Sequence, residues 1–311
     1  MGVSSGRFPA LLTVAALVLA PGCGSSSGAG PGEAAPHGDA NPAIPVVAST
    51  NVYGDIVRQI GGDRVTVVSI ISDPAQDPHS YEASTRNQLE LSRAKVVVEN
   101  GGGYDDFVGK MLRGARNSDA EVVNAVDVSG KAPARGGEFN EHVWYDLPAM
   151  GKLADRIADA LAAADPADAD VFRKNAVTFK ERLTPLLDAE RRISTDHGGT
   201  AVAVTEPVPL YLVEASGLRN LTPADFSEAI EEGDDVSPRT LRQTLDLFTD
   251  KRVRALVHNE QTSGPQTEKT EQAARAHGIP VVPVTETLPP GEDYISWMTA
   301  NLDALRKALD T

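Results

Sequence analysis

From Ile44 onward, short runs rich in valine and isoleucine alternate with stretches in which apolar residues recur at helical spacing. The runs 44–49, 65–71 and 95–99, and then 200–205, 253–258 and 279–284, predict strands. Most are almost continuously apolar, as strands covered on both faces must be. Between them, 53–60 places Tyr53, Ile56, Val57 and Ile60 on one helical face, and 86–94, 105–116, 265–276 and 294–309 follow the same period. Alternation of this kind predicts an α/β protein of two lobes, each a mainly parallel sheet flanked by helices.

The middle of the chain breaks the alternation. Residues 146–164 predict one helix, with Leu147, Met150, Leu153, Ile157 and Leu161 at helical spacing. Asp165-Pro166 opens a second, over 166–197, which Gly198-Gly199 ends and Pro185 is expected to kink. A helix of about 30 residues is about 45 Å long at 1.5 Å per residue. That exceeds what a crossover inside one lobe needs, so 166–197 is expected to be a rigid strut joining an N-terminal lobe, 43–165, to a C-terminal lobe, 198–311.

The first 42 residues follow neither pattern. Residues 10–20 are an apolar run after Arg7, too short to span a bilayer, and Pro21-Gly22-Cys23 follows; residues 1–22 are expected to be a signal peptide. Cys23 is the only cysteine of the chain, so no disulfide forms within one molecule. The run Ala20-Pro21-Gly22-Cys23 resembles a bacterial lipobox, with Ala20 where leucine is usual, and implies lipidation at Cys23. Residues 23–42, rich in Gly, Ser, Ala and Pro, are expected to be a flexible tether. A G-x-S-x-G match at Gly24 to Gly28 falls inside it and lacks the strand and helix that motif requires. A net charge of −15, from 29 basic and 44 acidic residues in 311, offers no basic stripe for phosphates and excludes nucleic acid as a partner.

Four segments end apolar runs with a side chain able to bind metal. They hold His79 (in Asp77-Pro78-His79-Ser80-Tyr81-Glu82), His142 (in Glu141-His142-Val143-Trp144-Tyr145-Asp146), Glu206 before Pro207, and Glu286 before Thr287. Two imidazoles and two carboxylates make a four-ligand set for a divalent transition metal. Each has a plainer reading by itself. A loop histidine is usually a surface residue, His142 could simply pack on Trp144, and carboxylates at strand ends often cap helices, as Glu206 would at a helix over 208–216. Asp146, four residues after His142, is expected to accept its second imidazole proton and orient the ring. His258, at a strand end, is the rival ligand, while His197 and His277 sit where helices close.

These motifs resemble the metal-receptor lipoproteins of bacterial ABC importers for manganese, zinc or iron. The resemblance runs from about Ile44 to the end. It rests chiefly on Asp-Pro-His-x-Tyr-Glu, present as Asp77 to Glu82, and His-x-Trp-x-Asp, present as His142 to Asp146. It implies His79, His142, Glu206 and Glu286 as ligands, with 166–197 as the interlobe backbone helix. Four departures stand out. Pro148 comes one residue late, Pro209-Leu210 replaces the usual pair before Tyr211, Glu286 stands where aspartate is usual, and 130–141 contains no histidine where zinc members carry a histidine-rich loop. Glu206 and the missing loop point toward manganese or iron, although zinc generally binds such sites more tightly.

The expectation is an extracytoplasmic receptor, not an enzyme. It would capture one Mn, Zn or Fe ion between its lobes and deliver it to a membrane permease. It would act as a monomer anchored by lipid to the outer face of the cytoplasmic membrane. A metal-dependent hydrolase is the first alternative; it would need an open coordination position and a general base, and no His-Glu-x-x-His is present. The second is a surface adhesin, or a receptor for another ligand such as a siderophore, whose pocket would want basic or more aromatic residues, and the chain is only 5% aromatic.

Overall fold

The structure, a computed structural model, describes residues 42–73, 81, 84–131 and 139–311. The expected signal peptide, Cys23 and nearly all of the tether lie outside the described residues. From Asn41 to Thr311 the chain forms one compact unit.

Two parallel four-stranded sheets organise this unit. The first joins β1 (Ile44–Thr50), β2 (Val65–Ile71), β3 (Val96–Glu99) and β4 (Glu121–Asn124) in the order β2-β1-β3-β4. The second joins β5 (Ala201–Val204), β6 (Arg219–Asn220), β7 (Leu256–Asn259) and β8 (Val281–Val284) in the order β6-β5-β7-β8. Val46 stands opposite Val67 on one side and Val96 on the other, and Val257 opposite Val282. In each sheet the chain reverses its direction of winding beside the first strand, between β1 and β3 and between β5 and β7. The crevice outside the carboxyl ends of strands at such a switch is where open α/β sheets take ligands.

Helices cover the sheets: α1 (Asn51–Gly61), α2 (Thr85–Arg93), α3 (Asp106–Ala115), α4 (Ala125–Ser129) and α5 (Leu147–Ala164) in the first half. The second half has α7 (Leu210–Ala215), α8 (Ala224–Glu231), α9 (Pro238–Thr249), α10 (Pro265–Ala276) and α11 (Tyr294–Leu309). Between the sheets runs α6 (Ala169–His197), 29 residues long. It begins three residues later than expected because 166–168 form a 3-10 turn, with the Asp165 carboxylate accepting the Ala167 N–H. Helix α6 continues through Pro185, whose side chain is exposed, so the carbonyl deprived of its usual partner lies toward solvent.

A single apolar cluster reaches from Ile44 to Leu309 and includes residues of both sheets and of α1, α5, α6 and α11. Polar ties cross between the halves as well. Asn51 donates to the Leu288 carbonyl at 3.0 Å and accepts the Leu288 N–H at 2.9 Å. The Tyr294 hydroxyl donates to the Trp144 carbonyl at 2.6 Å, and the Tyr145 hydroxyl to that of Thr285 at 2.7 Å. A core shared this widely opposes wide hinge opening.

One buried carboxyl in this frame sets a pH dependence. Glu190, on α6, is 4% exposed, and burial, with a smaller push from the Asp146 charge, raises its pKa to about 7. The folded chain therefore holds this proton more tightly than the unfolded chain. Stability from this group is full below the ordinary value near 4.5 and is lost as pH rises to about 7. Glu190→Gln is expected to raise the melting temperature at pH 8, by at most on the order of 3 kcal/mol of stability, and to leave it nearly unchanged at pH 4. Melting curves at the two pH values check this.

Candidate metal centre

His142 is fully buried and stands just before the 3-10 turn Val143–Tyr145. Its surroundings fix the ring. Asn140 Nδ2 donates to the Pro207 carbonyl at 3.1 Å, which identifies the other end of that amide as the acceptor. Asn140 Oδ1 then receives both the His142 N–H at 3.1 Å and the ring Nδ1–H at 2.7 Å. Nδ1 therefore carries a proton, which leaves Nε2 as the nitrogen that a metal would take. Trp144 and Tyr104 wall the ring, with centroids at 5.0 and 5.9 Å.

The orienting role expected of Asp146 thus falls to Asn140. The turn after His142 carries Asp146 onto the start of α5, where its carboxylate accepts the Ala149 N–H at 2.8 Å and pairs with Lys131 at 2.5 Å. Its effect on the site is indirect. Lys131 lies 4.2 Å from the centre of the Tyr211 ring, and the Tyr211 hydroxyl donates to the Asn140 carbonyl at 2.6 Å. Asn140 is therefore held from the second half of the chain by both Tyr211 and Pro207.

Glu286 follows β8 and is 3% exposed. Its carboxylate accepts from Asn259 Nδ2 at 2.9 Å and from the Tyr104 hydroxyl at 3.1 Å. Burial, reinforced by the neighbouring Glu286 charge, holds the Tyr104 pKa well above its usual value, so Tyr104 remains a neutral donor. Tyr104 thereby links Glu286 to the wall of His142. Glu206 follows β5 and is 2% exposed. The segment after it does not enter a helix at once, because α7 begins at Leu210 with Pro209 as its cap. Glu206 thus lies outside the first turn, and helix capping does not account for a buried carboxylate here. The preceding Thr205 accepts the Asn259 N–H at 3.0 Å, so Asn259 touches both the Glu206 segment and Glu286.

His79 lies outside the described residues, as does Glu82. His258 points elsewhere. It precedes Asn259 on β7, and adjacent strand residues face opposite sides. Burial lowers its pKa, and the charges that act on it are those of Glu271, Glu260 and Arg275 rather than of the site carboxylates.

Two further carboxylates approach His142. Ligand atoms of Glu141, His142 and Glu231 all lie within 4.8 Å of one another, with Glu231 Oε1 3.2 Å from His142 Nε2. Sequence reasoning missed both. Glu141 adjoins the histidine motif and could have been weighed with it; Glu231 lies in an acidic stretch that reads as a solvated surface.

Comparison with known proteins decides the family. Residues 46–308 match the family described as zinc-uptake complex component A, periplasmic. The chain belongs to this family. Its members are solute-binding components of metal importers, not enzymes, which removes the hydrolase alternative. Among relatives, the manganese-binding lipoprotein MntA of Bacillus subtilis is 29% identical over 76% of this chain and 77% of its own. The metal ABC transporter substrate-binding lipoprotein FimA of Streptococcus parasanguinis is 25% identical over 86% and 89%. A solved structure titled crystal structure of ZnuA superposes with a TM-score of 0.70 at 21% identity, covering 86% of this chain and 98% of that one. The Mn-bound periplasmic metal-binding protein of Candidatus Liberibacter asiaticus gives 0.70 at 21%, over 85% and 98%. At that identity these structures speak for the two-lobed α/β fold.

Proposed function

We propose that this chain captures one divalent transition metal ion as cargo between its two sheets and delivers it to the permease of an ABC importer. His142 and His79 from the first half and Glu206 and Glu286 from the second are its ligands. The observation that carries this reading is the anchoring of the fully buried His142, whose Nδ1 is held by Asn140 so that Nε2 is the nitrogen left to take a metal. Two buried carboxylates at the carboxyl ends of β5 and β8, near a switch of sheet winding, support it.

The oxygen-rich second half favours manganese or iron over zinc as the physiological cargo, because carboxylates suit harder ions and can bind through both oxygens. The name of the Bacillus subtilis relative accords with manganese. Release follows from small displacements of the second-half carboxylates, since the shared core and α6 oppose wide opening. The receptor works outside the cytoplasmic membrane as a monomer, held by a lipid on Cys23 at the end of the tether.

Titration of the chelator-stripped protein with manganese and with zinc tests this reading. One saturable site is expected. Failure to bind either ion would refute it.

A further inference from the structure

We propose that the edge of the second sheet formed by the amino ends of its strands is a docking surface for anionic phospholipid headgroups. Lys251 and Arg252 are its principal contacts, and the cavity beside them seats a phosphate group. This goes beyond the receptor reading and does not depend on the metal.

Helix α6 sets where this edge lies. It starts beside the amino end of β2, where Arg64 pairs with Asp168 at 2.6 Å, and ends at His197, just before β5. At 1.5 Å per residue its 29 residues place the amino edges of the two sheets about 44 Å apart. The carboxyl edges meet instead: Asn51, just after β1, exchanges hydrogen bonds with Leu288 beyond β8. The chain enters the fold at Ile44, on the amino edge of the first sheet. The expected tether thus holds one end of the molecule, and the amino edge of the second sheet lies at the other.

That far edge is basic in an acidic chain. Residues 250–254 hold Lys251, Arg252 and Arg254 against one carboxylate, Asp250, whereas the whole chain carries 29 basic and 44 acidic residues. At the opposite edge of the same sheet, β5 and β8 are followed by the buried carboxylates Glu206 and Glu286. An anionic surface attracts the first edge and repels the second.

Basic residues past helix ends ordinarily serve the last carbonyls. Arg254 does so, its Nε donating to the Leu309 carbonyl at 3.4 Å, and Arg219, at the start of β6, donates to that of Gly199 at 2.8 Å. Among the described residues the exposed side chains of Lys251 and Arg252 meet no such acceptor and no carboxylate. Helix α9 closes with the Lys251 N–H donating to the Phe248 carbonyl at 3.0 Å and the Arg252 N–H to that of Leu247 at 2.8 Å. This leaves Lys251 at φ 51°, where glycine is the low-strain residue, yet a cationic side chain stands there. Lys251, Arg252, Arg254 and His277 line a cavity of about 300 Å³ at the amino ends of β5, β7 and β8. Thr311 lines it too, while the neighbouring Asp310 carboxylate faces His197 at 3.1 Å and Arg306 at 3.9 Å.

Co-sedimentation with lipid vesicles tests this, using the chain from Asn41 onward, which forms one compact unit and carries no lipid. Vesicles of phosphatidylglycerol and of phosphatidylcholine are compared at about 0.1 M salt. The variant is Lys251→Glu/Arg252→Glu; Arg173→Glu/Lys174→Glu makes the same charge change at exposed positions of α6. The parent is expected to bind phosphatidylglycerol vesicles and not phosphatidylcholine ones. Lys251→Glu/Arg252→Glu should bind at least about tenfold more weakly, and the α6 variant as the parent does. A parent that ignores anionic vesicles, or a Lys251→Glu/Arg252→Glu protein that binds them equally well, overturns the assignment. Calorimetric binding of inorganic phosphate without binding to vesicles also overturns it and leaves the cavity as a site for the free anion. If the reversed-charge variant does not fold, Lys251→Gln/Arg252→Gln is read by the same criteria. Manganese titration of the parent keeps the two readings apart. Manganese binding without vesicle binding removes this assignment alone, and vesicle binding without manganese binding removes the receptor reading alone.

Discussion

His142→Ala is expected to lower metal affinity by more than the roughly 10–100-fold typical of removing a group that merely orients a ligand. The substitution deletes the one imidazole whose donor nitrogen the surroundings define. Asn140 would lose the Nδ1–H it accepts at 2.7 Å, and the carboxylates of Glu231 and Glu141 would lose the nitrogen they converge on. Calorimetric titration of the stripped variant beside the parent checks this. The pH dependence has a definite sign as well. Imidazole must be neutral to bind a metal, so affinity of the parent should fall as pH drops below about 6.5. Equal affinity at pH 7.5 and pH 5 would contradict histidine ligation.

Phe179→Ala tests whether the two halves behave as one body. Phe179 lies on α6, is 1% exposed, and meets the Tyr294 ring of α11 at 5.9 Å between centroids. Tyr294 in turn donates to the Trp144 carbonyl just after His142. Removing a buried phenyl ring leaves a cavity and costs about 3–5 kcal/mol. For a chain of this size that corresponds to a fall of roughly 5–15 °C in melting temperature. Because one apolar cluster joins both sheets, the variant should still melt in a single transition. Two separated transitions in calorimetry would show that α6 links independent lobes instead of uniting them.

Much of this architecture was legible in the sequence. Strand β2 and helices α10 and α11 coincide with the expected spans, because continuous valine and isoleucine runs and strong helix-start residues mark them. The missed strands are edges. Glu121–Asn124 has only two apolar residues and Arg219–Asn220 is two residues long, too short for any period to appear. Helices α8 and α9 were missed for different reasons. Phe226, Ala229 and Ile230 stand at helical spacing, but over only eight residues, whereas α9 carries a start signal in Ser237-Pro238, and the Ser237 side chain accepts the Thr240 N–H.

Site residues divide along the same physical line. His142, Glu206 and Glu286 were legible as candidates from their motifs and strand ends, and all three are buried. Asn140 and Glu231 were not, because their roles depend on contacts across the halves: Asn140 with Pro207 and Tyr211, Glu231 with His142. Asp146 had the right spacing on paper. A three-residue turn was enough to send its carboxylate to the start of α5 instead.

A crystal structure of the manganese-soaked protein, with the ion located by its anomalous scattering, tests the central claim most directly. The account predicts one ion at about 2.0–2.3 Å from His142 Nε2, with His79 as the second imidazole and oxygens of Glu206 and Glu286 from the second half. An ion bound elsewhere, with His142 still held only by its protein neighbours, would contradict it.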